Sequence, residues 1–305
     1  MHPCFSSLIA VFLVPEQSHH VMNIRAYAKI NIGLHVLGKR PDGYHNIETI
    51  FRLIDLYDEL EFVQGDEGIA FTSDTPLLSN DSNNLCIRAA NLLRDLTGVH
   101  MGVEISLKKH IPLGAGLGGG SSDAAAVLKG LTKLWALDIS TEELQTISAT
   151  LGSDVPFFFT SQTAYATGRG ERLTPFTVQI PYWILVVTPN VHVSTAWAYS
   201  NVRLQGSQNR PDLRRLMETA MGQPEILRAN LANDFEESVF REFRDISSLK
   251  SNLLKEGADV ALMSGSGSSV FGFFSSEAKA NHLRSELSSK YFVSITDPQF
   301  KPEIN

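Results

Sequence analysis

The chain has 305 residues, enough for two ordinary domains, and a 43% hydrophobic content that can fill their cores without disulfide or metal staples. Its 26 basic and 33 acidic residues leave a net charge of -7, which argues against a general electrostatic grip on nucleic acid and confines any phosphate chemistry to a local site. Cys4 and Cys86 lie far apart without metal-ligand spacing, so neither a disulfide framework nor a zinc site is indicated, and a reducing cytoplasm suits them.

Leu8 to Val14 reads LIAVFLV, an apolar run too short to span a bilayer. No Lys or Arg precedes it and PEQSHH follows, so the signal-peptide reading is disfavoured. The preferred reading starts translation at Met22 and treats residues 1–21 as an extension outside the fold. Ile24 to Val36 then has strand character, Gly38, Pro41, Asp42 and Gly43 supply turn chemistry, and a second strand-like run completes a hairpin. Residues 50–63 and 68–73 continue as strands, 84–96 has helical spacing ending near Gly98, and 103–107 is a further short strand.

A glycine run from Pro112 leads into a helix predicted over 122–137. Ser140 with Glu143 forms a capping box for a second helix, 141–151, with Gly152 just past its end. Residues 162–168 and 182–188 return to strand patterns, and the Pro175 to Pro181 stretch marks a domain boundary near residue 180. The second domain, 181–298, contains a polar stretch from Asn201 to Pro211, helical segments between Asp212 and Gly257, a strand-loop-strand through 261–274, and a final helix over about 276–289. The class is α+β, without solenoid repeats or low-complexity blocks.

Gly114, Gly116 and Gly119 match the dinucleotide fingerprint GxGxxG. That fold needs a second parallel strand after the loop's helix, whereas another helix follows here. A Walker A loop is excluded because no Gly-Lys-Ser/Thr follows the glycines. What remains is a phosphate cradle: Gly114, Gly116, Gly118, Gly119 and Gly120 clear side chains so that backbone N–H groups approach an anion at a helix N-terminus. Ser121 and Ser122 can donate hydroxyls to phosphate or ligate magnesium, while one of them or Asp123 caps the helix. The bland alternative, a flexible linker, fits poorly between a strand and a strong helix.

PLGAGLGGGSSDAAAVL at 112–128 resembles the second signature of the GHMP kinases, and AYAKINIGL at 26–34 and LMSGSGSSVFGFF at 262–274 resemble the other two. KINIGLHVLGKRPDGYHNIETIF at 29–51, NLCIRAA at 84–90 and LGSDVPFFF at 151–159 are similar to the branch of that family whose substrate is a cytidine-bearing erythritol alcohol. The resemblance implies a two-domain fold, with a ribosomal S5 domain 2-like N-terminal half over 22–180, a ferredoxin-like C-terminal half and the active site in the cleft between them. It implies transfer of the γ-phosphoryl of ATP, with Mg2+, to a hydroxyl of that small molecule, and no nucleic-acid or membrane partner. Monomer and homodimer both stay open.

The resemblance gives the following roles. Asp154 matches the catalytic aspartate, and a carboxylate is needed to accept the proton of the attacking hydroxyl. Its bland alternative is a turn cap before Val155-Pro156. Lys29 would sit beside Asp154, holding it charged and orienting the hydroxyl, although an isolated strand lysine usually faces solvent. Asn31 shares its strand face and would bind the erythritol hydroxyls. Tyr44 would stack on cytosine and His45 hydrogen-bond its edge, with Tyr199 as a second stacking face or, equally, a core residue. ATP would meet Asn84, for which helix capping is the serious alternative, and Pro112, Leu113, Gly114, Ala115, Gly116, Leu117, Gly118, Gly119, Gly120, Ser121 and Ser122. Gly265 and Gly267 would let the late loop approach the substrate, or simply form a tight turn. Competing functions are a homoserine- or mevalonate-type kinase, which has no use for Tyr44 and His45, a non-catalytic nucleotide-binding regulator, and an oxidoreductase.

Overall fold

A computed structural model of the chain describes residues 21–204 and 210–303, so residues 1–20 of the expected N-terminal extension lie outside the described residues. Val21, assigned to that extension, instead opens the first strand and pairs with Val63. The hairpin read from the sequence is two long antiparallel strands, β1 (Val21–Lys39) and β2 (His45–Gly65), joined by a turn in which Gly43 has φ +87°. Next come β3 (Ile69–Ser73), α1 (Leu85–Thr97), β4 (Gly102–Lys108), α2 (Gly119–Leu134), α3 (Thr141–Ser148), a 3-10 turn at Val155–Phe159, β5 (Thr163–Gly168) and β6 (Arg172–Pro175). One edge of β2 is covered by β1, and the other by β4 and β5 in succession, so β2 is the spine of the first sheet.

The second half comprises β7 (Trp183–Thr188), α4 (Thr195–Asn201), α5 (Leu213–Ala220), α6 (Pro224–Asn230), α7 (Glu236–Glu242), α8 (Arg244–Lys255), β8 (Val260–Met263), β9 (Val270–Phe274), α9 (Glu277–Leu287) and β10 (Phe292–Thr296). Its strands lie in the order β10-β7-β9-β8, all antiparallel. With helices crossing between β7 and β8 and between β9 and β10, this is the ferredoxin-like arrangement. Among the described residues no helix is long and apolar enough to cross a membrane.

The Ser140–Glu143 capping box forms as read, and Gly98 closes α1 in the left-handed conformation. The cap of α2 does not form as read. The helix starts three residues earlier, at Gly119, and its N-cap is Gly118 at φ +71° with no side-chain cap. Ser122 and Asp123 are both committed elsewhere: Ser122 Oγ donates to the Tyr27 carbonyl at 2.7 Å, and Asp123 pairs with Lys109, also at 2.7 Å. α3 ends at Ser148, three residues short of the reading, and β6, α4 and β10 lie where no element was predicted.

The two sheets share apolar packing. Ala28, Ile30 and Ile32 alternate along β1 with Lys29 and Asn31, and join Ile184, Val186, Leu262 and Phe271 of the second sheet in one buried cluster. A shared core makes the halves unfold together. Ile30→Ala, which empties a fully buried position in that cluster, should therefore lower the midpoint of one calorimetric transition, at a cost of about 2–5 kcal/mol. Two separate transitions, only one of them shifted, would show that the halves are energetically independent.

Candidate active site

β1 is an edge strand, and its outward N–H groups need partners. Lys29 N donates to Leu117 O of the glycine loop at 2.9 Å, and Asn31 N donates to Ser264 Oγ of the β8–β9 turn at 3.2 Å. Leu34 N donates to Ala232 O at 2.8 Å, and Leu34 O accepts from Asp234 N at 2.9 Å. Ser264 Oγ also donates to Gly116 O at 2.9 Å, so a single buried hydroxyl ties β1, the glycine loop and the second sheet together.

The glycines are required by these close approaches. Gly114, Gly116 and Gly118 have φ of 61°, 79° and 71°. A Cβ at Gly116 would lie 2.1 Å from Ser264 O, and one at Gly118 would lie 3.0 Å from the Lys29 side chain. The loop, β1 and the β8–β9 turn enclose a cavity of about 500 Å³.

Lys29 and Asp154 meet in this cavity, Nζ to Oδ2 at 3.1 Å, with the Lys29 side chain only 4% exposed and Asp154 33% exposed. Asn31 Oδ1 accepts from Lys29 Nζ at 2.7 Å, and Asn31 Nδ2 donates to Thr49 Oγ1 at 3.0 Å. The lysine is thus aimed by a buried amide, while the carboxylate reaches solvent. Pro112 to Ser121 and Gly265 also line the cavity, as does Tyr199, whose phenol is pushed up to about 12 by burial and by the charge of Asp154.

Three predicted residues sit differently. Ser122 is buried, faces the opposite side of α2 and spends its hydroxyl on Tyr27, so it offers the loop no donor. Asn84 is the N-cap of α1: its Oδ1 accepts from Cys86 N and its Nδ2 donates to Ser79 O, both at 2.8 Å. Gly267, at φ +92°, shapes the β8–β9 turn without lining the cavity. Tyr44 and His45 lie one contact beyond the cavity wall. His45 stacks on Tyr199 with centroids 5.0 Å apart, which leaves no room for a base between those rings. Burial, and secondarily Lys39, lowers the His45 pKa and favours the neutral ring.

Two cations at the site carry no sequence signature. Arg169, in the β5–β6 turn, lines the cavity and places its guanidinium 4.8 Å from the Tyr44 ring centroid. Lys109 lies beneath the glycine loop, bonded to Asp58 and Asp123. Burial opposes its charge, but the two carboxylates outweigh that and raise its pKa. Burial likewise drives the Asp123 carboxyl upward, although Lys109 opposes the shift.

A glycine loop that opens a helix, facing a lysine-steered carboxylate across a cavity, suits a small-molecule kinase. Residues 84–162 match the family described as GHMP kinases N terminal domain, and 211–293 match GHMP kinases C terminal. The chain belongs to the GHMP kinase family. It is 44% identical over 283 residues to a 4-diphosphocytidyl-2-C-methyl-D-erythritol kinase of Chlorobium phaeovibrioides, an alignment covering 92% of this chain and 97% of that one. A crystal structure of 4-(cytidine 5'-diphospho)-2C-methyl-D-erythritol kinase superposes with a TM-score of 0.77 at 34% identity, covering 90% of this chain and 98% of that one. A homoserine kinase from Cytophaga hutchinsonii shares the fold, with a TM-score of 0.69 at 17% identity over 88% and 94% of the two chains.

Ser264→Ala should cost about 1–3 kcal/mol in urea unfolding, because Asn31 N and Gly116 O each lose a buried partner. It should also weaken ATP binding through the displaced loop. Unchanged stability together with unchanged ATP affinity would show that the hydroxyl does not hold the three segments.

Proposed function

We propose that this chain uses ATP to phosphorylate the 2-hydroxyl of 4-diphosphocytidyl-2-C-methyl-D-erythritol, a step of the non-mevalonate route to isoprenoid precursors, in the cytoplasm. The observation that carries the reading is the Lys29–Asp154 pair, which lines the same cavity as the glycine loop, Arg169 and Tyr199, with Tyr44 and His45 packed behind the last two.

The proposed site runs in one direction. ATP phosphates lie on the N–H groups of residues 114–121 at the start of α2, where the helix dipole favours negative charge. The erythritol lies against Lys29, Asn31 and Asp154. A Cβ at Gly170 would be 3.6 Å from Asp154 Oδ1, so the turn carrying Arg169 begins beside the carboxylate and leads toward Tyr44. Along that path Arg169 meets the substrate diphosphate, and the cytosine lies on the Tyr44, His45 and Tyr199 side. A neutral His45 both donates and accepts, which suits the polar edge of a pyrimidine.

In the reaction, Asp154 takes the proton of the 2-hydroxyl as the oxygen attacks the γ-phosphorus, and Lys29 fixes the carboxylate and the incoming oxygen in line. Loop N–H groups stabilise charge on the transferred phosphoryl. Mg2+, bound with ATP, would neutralise phosphate charge, and Asp154, the one carboxylate lining the cavity among the described residues, and the Ser121 hydroxyl would be its nearest candidates among the side-chain oxygens there. These few donors fit a cation held mainly by phosphates and water.

Substrate choice is tested by a coupled ADP-release assay over the cytidylated alcohol, homoserine and mevalonate. Turnover of the cytidylated alcohol alone is expected; preference for either other acceptor would overturn the reading. Asp154→Asn should lower kcat by about 10² to 10⁴-fold while ATP still binds, and near-normal turnover would remove it as the base. Arg169→Met should raise KM for the cytidylated substrate about tenfold or more with little change in KM for ATP, the loss of one charge-assisted contact. The reverse pattern would place Arg169 on the nucleotide.

A further inference from the structure

On the other side of α2 lies a second cavity, of about 480 Å³, nearly the size of the first. Ile24, Leu53, Leu144, Phe158 and Phe159 give it apolar walls. The charged groups facing it are Arg25, Lys129, Lys133 and Glu303. Arg25 is already paired with Glu303 and lies over the Tyr57 ring. Lys129 and Lys133 are one helical turn apart, a repulsive spacing, and neither has a carboxylate partner among the described residues. Lys129 is half-buried, with its Nζ 5.5 Å from the Phe159 ring centroid. A protein of net charge -7 thus keeps two unpaired lysines at the mouth of an apolar hollow.

We propose that this second cavity binds a small amphiphilic anion, with its apolar body against Phe158, Phe159 and Leu144 and its phosphate or carboxylate head on Lys129 and Lys133. Its size is that of an ordinary small-molecule site. An anion there removes the lysine repulsion and partners an ammonium whose pKa burial, and then Lys133, has lowered to about 8. Occupancy reaches the kinase site through shared walls. Phe158 also packs against the glycine loop, its ring tip 3.2 Å from where a Cβ on Gly118 would be. Ser122, on the same wall, is bonded to Tyr27, two residues before Lys29. The ligand would therefore touch two side chains that also adjoin the kinase site, without entering that site.

The test is calorimetric titration of the whole chain with octyl phosphate below its micelle concentration, alone and with saturating AMP-PNP, beside octanol and inorganic phosphate. One equivalent of octyl phosphate is expected to bind whether or not AMP-PNP is present, with octanol and phosphate each about tenfold weaker or worse. Lys129→Met should weaken octyl phosphate about tenfold and leave ADP release without it within about twofold of the parent. Stoichiometric displacement by AMP-PNP would overturn the proposal by putting the probe in the kinase cleft, as would equal affinity in Lys129→Met. Binding to anionic phosphatidylserine vesicles without binding of monomeric octyl phosphate would overturn it in favour of a membrane contact.

Discussion

The site depends on how one edge strand is covered. β1 pairs with β2 along one side, and its other side offers backbone groups that must be bonded or solvated. The glycine loop takes Lys29 N, the β8–β9 turn takes Asn31 N through Ser264, and residues 232–234 bracket Leu34. Covering the edge is therefore the same event as bringing the three segments together. Since successive side chains alternate across β1, Ala28, Ile30 and Ile32 enter the core between the sheets while Lys29 and Asn31 face the cavity. Core packing and the aim of Lys29 are fixed by one register.

That geometry changes what the glycine run means. The sequence suggests that glycine is needed so a phosphate can approach the backbone. The structure adds that protein atoms already occupy the space a side chain would fill: the His192 ring at Gly114, the Ser264 carbonyl at Gly116, Lys29 and Phe158 at Gly118, and Lys109 at Gly119. The loop is pressed against both halves of the molecule, and three of its glycines adopt positive φ. Binding an anion and joining the halves make the same demand on those positions.

Local features were legible where local chemistry decides them. The hairpin turn, the capping box at Ser140 and the Gly98 cap all form as their residue types dictate. The α2 cap differs from the reading because Ser122 answers to Tyr27, far away in the sequence, and Asp123 to Lys109 across the glycine loop. Asn84 was poised between adenine contact and helix cap, and its side chain is fully engaged in capping. β10 lies outside the reading although Phe292, Val293, Ile295 and Thr296 are strand-forming types, and it pairs with β7 along its whole length. Arg169 carried no signature because its meaning comes from Tyr44, which lies 125 residues earlier and meets it only through the pairing of β2 with β5.

Charge at the cavity explains how an acidic protein accommodates polyanions. Lys29, Lys109 and Arg169 are the basic side chains on its wall. Lys29 is held by Asp154 and Asn31, and Lys109 by two carboxylates, so neither presents a free positive charge to an arriving phosphate. Arg169 alone of the three has no carboxylate partner among the described residues, and it lies toward the aromatic end. At the glycine-loop end the attraction must come from backbone N–H groups and the start of α2, worth fractions of an elementary charge. A triphosphate bearing several charges exceeds what those dipoles neutralise. Under the proposed function, this end of the site suits a nucleotide bound with its divalent cation, and Arg169 suits the diphosphate ester of the acceptor.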